Sequence, residues 1–249
     1  MVTCELVGRT GNQMFIIACT IATALKHGLE YHIPAHTLND DIWEPKFTNL
    51  EDNRFNPSLP NIYVPETTHA YKEIILDESL FYTHNFVIRG YRQSEKYFKD
   101  YIDEVRYAFG FEYLPKHNFV CVHHRLGDYK LYPDKHVIVS DKYIYDSVKF
   151  MKQKGYGYFI IFSDEPDKVN LPVDIEANFV YSKNYSDLDD FQNMLWCRSF
   201  IISASTFSLM ASILSESENK ICIAPKEWFG ISNSHLDTKD IVPENYIRL

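Results

Sequence analysis

The densest concentration of chemically capable side chains is CVHHRLGDY, Cys121–Tyr129. A β-prone apolar run leads straight into two histidines, an arginine, a glycine and an aspartate. Arginine presents a planar fork of donors that matches a phosphate, and it stays charged at any relevant pH. Gly127 lets the backbone turn sharply beneath it. On one reading Arg125 grips a diphosphate while His123 meets a base or ribose. On the other, Arg125 and Asp128 form a salt bridge at a strand end, and the histidines are satisfied surface groups.

Two further clusters present donors to an anion. GRTGNQMF, Gly8–Phe15, sets glycines at a helix start, where N–H groups and the dipole favour negative charge. Its plainer reading is a tight turn with Asn12 as the N-cap. ISASTFSLMAS, Ile202–Ser212, puts small hydroxyl residues at a strand-to-helix turn. There Ser205 or Thr206 serves as phosphate donor, as N-cap, or as both.

In SDLDDFQNMLWC, Ser186–Cys197, three carboxylates open a helix, which the dipole favours without any ligand. The alternative gives one of them the guanine edge, whose paired N1 and N2 donors adenine lacks. A metal-binding triplet at Asp187-Leu188-Asp189 lacks a matching acidic partner in the sequence. IAPKEWF, Ile223–Phe229, reads as core.

The elements that must position these groups alternate regularly in the second half of the chain. The pattern predicts strands at Phe119–His123, Tyr158–Phe162, Phe179–Ser182, Phe200–Ser203 and Lys220–Ala224. Helices are predicted at Asp141–Lys154, Asp187–Trp196 and Thr206–Leu214. Apolar strands alternating with helices imply a parallel, doubly wound sheet, which binds ligands beyond the carboxyl ends of its strands. Three polar clusters fall there: His123–Asp128, Ser163–Glu165 and Ser203–Ser208. The first half opens as βαβ. Residues 2–7 are β-prone, Met14–Leu25 is an almost wholly apolar helix that His27-Gly28 ends, and Tyr31–Pro34 is a strand. Residues 39–65 read as an irregular loop over the site and 71–108 as helical. A boundary is predicted within Gly110–Asn118. It gives two lobes, 1–114 and 115–249, with a C-terminal helix or tail able to pack back on the first.

The net charge of −9 disfavours a nucleic-acid partner, which selects a basic face. It leaves room for a phosphate ester, which needs only a few local donors. The five cysteines are odd in number, sit in apolar stretches and have no metal-ligand spacing, so they read as buried thiols of a reducing compartment. No apolar run approaches the length of a membrane span, and the N-terminus lacks a signal-peptide pattern. Nothing in the chain specifies an oligomeric state.

In order along the chain, GRTGNQMF, GYRQSEKYF, HHRLGDY, FSDE, DDFQNMLWC, SASTFS and APKEWF together resemble the α-1,2-fucosyltransferase family. The resemblance implies an α/β, GT-B-like fold of two Rossmann-type lobes with a cleft between them, and a GDP-fucose donor. It also implies inversion at the anomeric carbon, no metal or other cofactor, and a glycan acceptor extended at a galactoside 2-OH. It places Arg125 on the pyrophosphate, His123 beside the nucleoside and Asp190 at the guanine edge. Ser205 and Thr206 become phosphate donors with Phe207 and Ser208 beside them. Ser163 and Asp164 join the donor site, while Gly11 and Asn12 line the cleft from the first lobe. The family often carries a second arginine in HxRRGDY, where this chain has Leu126; Lys130 is the nearest substitute. The family's leader often reads GGLGNQ, and Arg9 stands in this chain's version. Without the membrane anchor of animal members, the resemblance implies a soluble cytoplasmic enzyme of microbial or viral type.

The implied reaction expels GDP through an oxocarbenium-like transition state, and negative charge grows on the β-phosphate. Donors preorganised there carry most of the catalysis, which puts Arg125 first. Asp128 is the nearest base for the acceptor proton, or an ion pair that orients Arg125; Asp134 and His136 are the alternatives. Three rival readings share parts of this pattern: another GDP-deoxyhexose such as GDP-rhamnose, a glycan- or nucleotide-sugar-binding protein without turnover, and a nicotinamide oxidoreductase. The glycine spacing of Gly8–Asn12 does not fit the last.

Overall fold

Val2–Cys4 (β1) is a short buried strand, and Gly8, at φ +75°, turns the chain out of it into Thr10–Lys26 (α1). The helix is buried almost all round, from Gln13 through Ala24, as its nearly uninterrupted apolar sequence requires. It stops where Gly28 takes φ +64°. The N–H of Gly28 then reaches the Leu25 carbonyl (3.1 Å) and that of Leu29 the Ala24 carbonyl (2.9 Å), a glycine-dependent helix ending. The computed structural model describes residues 1–34, 57–170, 179–181 and 186–249.

After Tyr31–His32 (β2) come Asn61–Val64 (β3) and Asn85–Ile88 (β4), which complete a parallel sheet of order β2-β1-β4-β3. Two sequence expectations change here. Residues 61–64, assigned to an irregular loop, form β3, while 39–56 of that loop lie outside the described residues. Residues 71–108, read as helical, contain β4, three short 3-10 turns and only one α-helix, Ile102–Phe109 (α2). All four residues of β4 are buried, and a four-residue run covered on both faces has no alternation to tell it from a helical segment.

The second sheet is built from Val120–His123 (β5), Phe159–Phe162 (β6), Phe179–Tyr181 (β7), Ser199–Ile201 (β8), Cys222–Ala224 (β9) and Ile247–Arg248 (β10). All its pairings are parallel and its order is β10-β9-β8-β5-β6-β7. The helices Asp141–Gln153 (α3), Asp187–Leu195 (α4) and Thr206–Leu214 (α5) connect its strands. Val120, Val122, Phe159, Ile161, Ile201 and Ile223 pack with Ile144, Val148 and Met151 of α3 into one core. At roughly 1.5–3 kcal/mol per large apolar side chain withdrawn from water, this core is the main force holding the sheet.

The chain groups into two compact units, Met1–Phe111 with Asp237–Pro243, and Glu112–Leu236 with Glu244–Leu249. Each is α/β around a parallel sheet, the fold class expected from the sequence. Among the described residues no helix is long and apolar enough to cross a membrane. All five cysteines are buried free thiols, and burial pushes those of Cys4 and Cys19 up to about 12.

Candidate functional site

In chain order the six strands of the second sheet lie 3-2-1-4-5-6 across it, so the winding reverses between β5 and β8. Loops leaving two neighbouring strands in opposite directions open a crevice at such a switch point. The loop after β5 is His124–Asp128 and the loop after β8 is Ile202–Ser205. One hydroxyl joins them. Ser203 Oγ donates to the His123 carbonyl (2.7 Å) and accepts from the Arg125 N–H (3.0 Å), and Ser203 is fully buried.

Arg125 is held from two sides. Its Nη2 donates to Asp128 Oδ1 (2.7 Å), and its Nε lies 3.2 Å from Asp164 Oδ2. Burial works against its charge, but Asp164 and Asp128 more than offset that and raise its pKa, so it is a permanent cation. Asp164, arriving from the end of β6, also accepts the Leu126 N–H through Oδ1 (2.9 Å). A Cβ on Gly127 would overlap the Asp164 carboxylate, which is the physical reason for glycine there. The Tyr129 hydroxyl donates to the Ala204 carbonyl (3.0 Å), and its ring stacks on His136 at 4.3 Å and 15°.

His123, 4% exposed, shares a 2.8 Å hydrogen bond between Nδ1 and Ser208 Oγ. Burial, then the positive charge of Arg125 and the neighbouring His124, lower its pKa to about 3. His123 is therefore a neutral imidazole at any ordinary pH. Burial likewise lowers His124, whose Nε2 lies 3.2 Å from the Val139 carbonyl, and half-buried His136. Both are therefore weaker proton acceptors than a solvated imidazole.

The helix after β8 opens without a side-chain cap. Ser205 occupies the N-cap position but its hydroxyl makes no capping bond, contrary to one sequence reading of Ser205 or Thr206. The helix after β1 is alike. Arg9, not Asn12, sits at its N-cap, again with no side-chain capping bond, while Asn12 lies inside the first turn. By contrast Ser140 caps α3 through the Tyr143 N–H, and Ser186 with Asp189 forms a reciprocal capping box on α4. Asp189 thus takes part in capping its own helix. Among the described residues no group of three or more His, Cys, Asp or Glu is placed to hold a metal ion.

Of the residues singled out from sequence, the second unit brings together His123, Arg125, Asp128, Asp164, Ser205 and Ser208. Phe207 lies beside them, its ring 6.2 Å from His123 and 5.3 Å from Phe191 of α4. Asp190, which precedes Phe191, is half-buried on that helix, and Thr206 is half-buried at the start of α5. Ser163 turns its hydroxyl to the Glu165 N–H (3.1 Å). Lys130, considered as a substitute for a second arginine, pairs with Glu165, and Leu126 is buried at 6% exposure. The site carries one arginine where the family pattern often has two.

Gly11 and Asn12 belong to the first unit. There one bond joins the segments after β1 and β4, from Gln93 Nε2 to Asn12 Oδ1 (3.0 Å), while Gln13 Nε2 donates back to the Gly8 carbonyl (2.9 Å). Residues Gly90–Arg92 wrap Glu66, whose two oxygens accept the Tyr91 and Arg92 N–H groups at 2.9 Å each. Sequence reasoning missed this use of Glu66 and the joining role of Ser203. Ser203 lay in a flagged cluster; Glu66 lay 25 residues from its partners with no local signal.

A family model described as Glycosyl transferase family 11 matches residues 1–247. The O-antigen biosynthesis glycosyltransferase WbnK of Escherichia coli is 28% identical over 131 residues, 49% of this chain and 43% of that protein. The match thus spans less than half the length of that curated relative. Among solved structures, POFUT1 in complex with GDP aligns with a TM-score of 0.48 and 13% identity, over 90% of this chain and 97% of that one. A mutant of Arabidopsis thaliana FUT1 in complex with GDP aligns with a TM-score of 0.47 and 11% identity, over 99% of this chain and 75% of that one.

Proposed function

This chain belongs to glycosyl transferase family 11, and on that footing we propose that it transfers L-fucose from GDP-fucose to the 2-OH of a galactoside, with inversion and without a metal ion. The observation that carries the reading is the placing of Arg125. It is a permanent cation, one-fifth exposed, at the switch point of a parallel sheet and beside a helix that opens without a side-chain cap. A diphosphate leaving group needs that combination, because negative charge on the β-phosphate oxygen grows as the bond to sugar C1 breaks.

In the proposed reaction the bond from C1 to the β-phosphate oxygen breaks, and the acceptor oxygen bonds to C1 from the opposite face. Arg125, with the N–H groups opening α5, holds the GDP that departs. Neutral His123 offers the nucleoside a hydrogen bond without adding charge, Asp190 takes the guanine edge, and Ser205 and Thr206 contribute donors to the phosphates. Asp128 accepts the proton of the acceptor hydroxyl. WbnK is described as a glycosyltransferase of O-antigen biosynthesis, which supports a glycan as the acceptor.

The test is GDP release from GDP-fucose with a β-galactoside acceptor in EDTA, for wild type and Arg125→Ala. Turnover that survives EDTA and collapses in the variant is the expected result. Wild-type protein that neither turns over nor binds GDP in calorimetry overturns the reading.

A further inference from the structure

The guanidinium of Arg125 is gripped by its edges. Its N–H donors point outward in the plane of the group. Nη2 meets Asp128 at 2.7 Å, Nε lies 3.2 Å from Asp164, and Ser203 fixes the backbone N–H behind them. The face of the group meets an aromatic ring. Cζ lies over Tyr129, 5.7 Å from the ring centroid, within the range of a cation–π contact.

That ring is itself tied down. The Tyr129 hydroxyl donates to the Ala204 carbonyl (3.0 Å), in the loop after β8 and one residue before the N-cap of α5. Burial raises the Tyr129 pKa, so the hydroxyl keeps the proton it donates. The ring also stacks on His136 (4.3 Å, 15°), which an antiparallel bridge fixes to Phe229. Tyr129 therefore reaches from the arginine of one loop to the backbone of the other. Ser203 makes the same crossing in the opposite sense, but its bonds go to main chain alone, at the His123 carbonyl and the Arg125 N–H. Tyr129 makes the crossing and touches the guanidinium as well.

We propose that Tyr129 is a positioning residue for the diphosphate: its ring sets the plane of the Arg125 fork, and its hydroxyl sets where that fork stands against the loop after β8. A fork matches phosphate oxygens only when its plane is turned toward them. A long side chain left to find that orientation loses rotamer entropy on binding, which a ring already in place avoids. Both parts of the tyrosine are used, since phenylalanine would keep the ring without the crossing bond. The assignment rests on the donor-site reading of Arg125 given above.

The test is turnover and calorimetry on the full chain, for Tyr129→Phe, Arg125→Ala and the double variant, at temperatures where thermal melts show each folded. Phenylalanine keeps the ring volume and the stack on His136, so Tyr129→Phe is expected to fold. It is expected to slow GDP release and weaken GDP binding about fivefold to tenfold, the worth of one hydrogen bond. GMP, which lacks the β-phosphate, is expected to bind it as it binds wild type. In the Arg125→Ala background the same substitution is expected to change turnover by no more than about twofold, because the group it positions is gone. A merely structural role would weaken GDP and GMP alike and add its full cost in both backgrounds; either result overturns the inference. So does a Tyr129→Phe variant that binds GDP as tightly as wild type. A wild type that binds no GDP instead overturns the functional reading beneath it.

Discussion

In the first unit the chain turns its polar groups at the carboxyl ends of β1 and β4 on itself. Glu66 accepts the N–H groups of Tyr91 and Arg92, Gln93 reaches Asn12, and the buried Arg92 spends Nη2 on the Val64 carbonyl (2.8 Å). The backbone there takes left-handed angles, at Gly8, Gly90 and, unusually for a side chain of its size, Arg92 at φ 52°. In the second unit the ends of β5 and β8 are joined by one serine, and the charge is gathered on a partly exposed arginine. Both lie at the carboxyl ends of neighbouring parallel strands, yet one holds an acid under a strained backbone and the other a cation left reachable. The difference teaches that topology supplies the crevice and side-chain chemistry decides its use.

That contrast can be broken at several places. The largest effect is expected from Arg125→Ala, which should slow GDP release roughly a hundredfold to a thousandfold while melting near wild type, since the side chain is not core. A variant that retains most activity would remove the distinction between the two crevices. Next, Gly90→Ala should lower stability by on the order of 3 kcal/mol, because φ is +98° and a Cβ would overlap Glu66. GDP affinity of the folded protein should stay the same; denaturant melts with and without GDP separate the two.

His123 sharpens the comparison through pH. Its folded pKa of about 3 lies below the ordinary histidine value, so the unfolded chain takes up a proton first as pH falls. Stability from this group is present above pH 6.5 and declines between there and about 3, by at most about 1.4 kcal/mol per pH unit. His123→Gln should flatten that slope in urea melts run at several pH values; an unchanged slope would place the titration elsewhere. The smallest effects belong to the joining bonds. Ser203→Ala and Gln93→Leu should each cost about 1 kcal/mol in melting experiments, but only Ser203→Ala should weaken GDP binding, because Ser203 holds the Arg125 N–H. Equal loss of affinity in both would remove the distinction drawn between the two regions.

Much of the second unit was legible in the sequence. Strand and helix bounds fell within a residue or two of those found, and Thr206–Leu214 matched at both ends, because each element there is a short apolar run or an amphipathic stretch bounded by local signals. The acids of α4 read as helix openers for the same reason, and the capping box of Ser186 with Asp189 is what such a sequence makes. In the first unit the local signals were weaker. Asn85–Ile88 starts with a polar residue, continues with three apolar ones and shows no alternation, so its neighbours β1 and β3 define it as a strand more than its own residues do.

The sequence by itself determined which groups could meet an anion: an arginine that cannot lose its charge, a glycine where the chain must turn, hydroxyls at a helix start. These are properties of residues and their near neighbours, and no tertiary contact is needed to state them. Only the tertiary structure decided which of those groups stand together. The reversal of strand order between β5 and β8, the reach of Asp164 to Arg125, the Ser203 bond across two loops and the neutral state of His123 depend on contacts between residues far apart in the chain. Those contacts exist because burying parallel strands against helices brings distant loop ends to one edge, and burial also sets the local dielectric that fixes the charge of what it encloses.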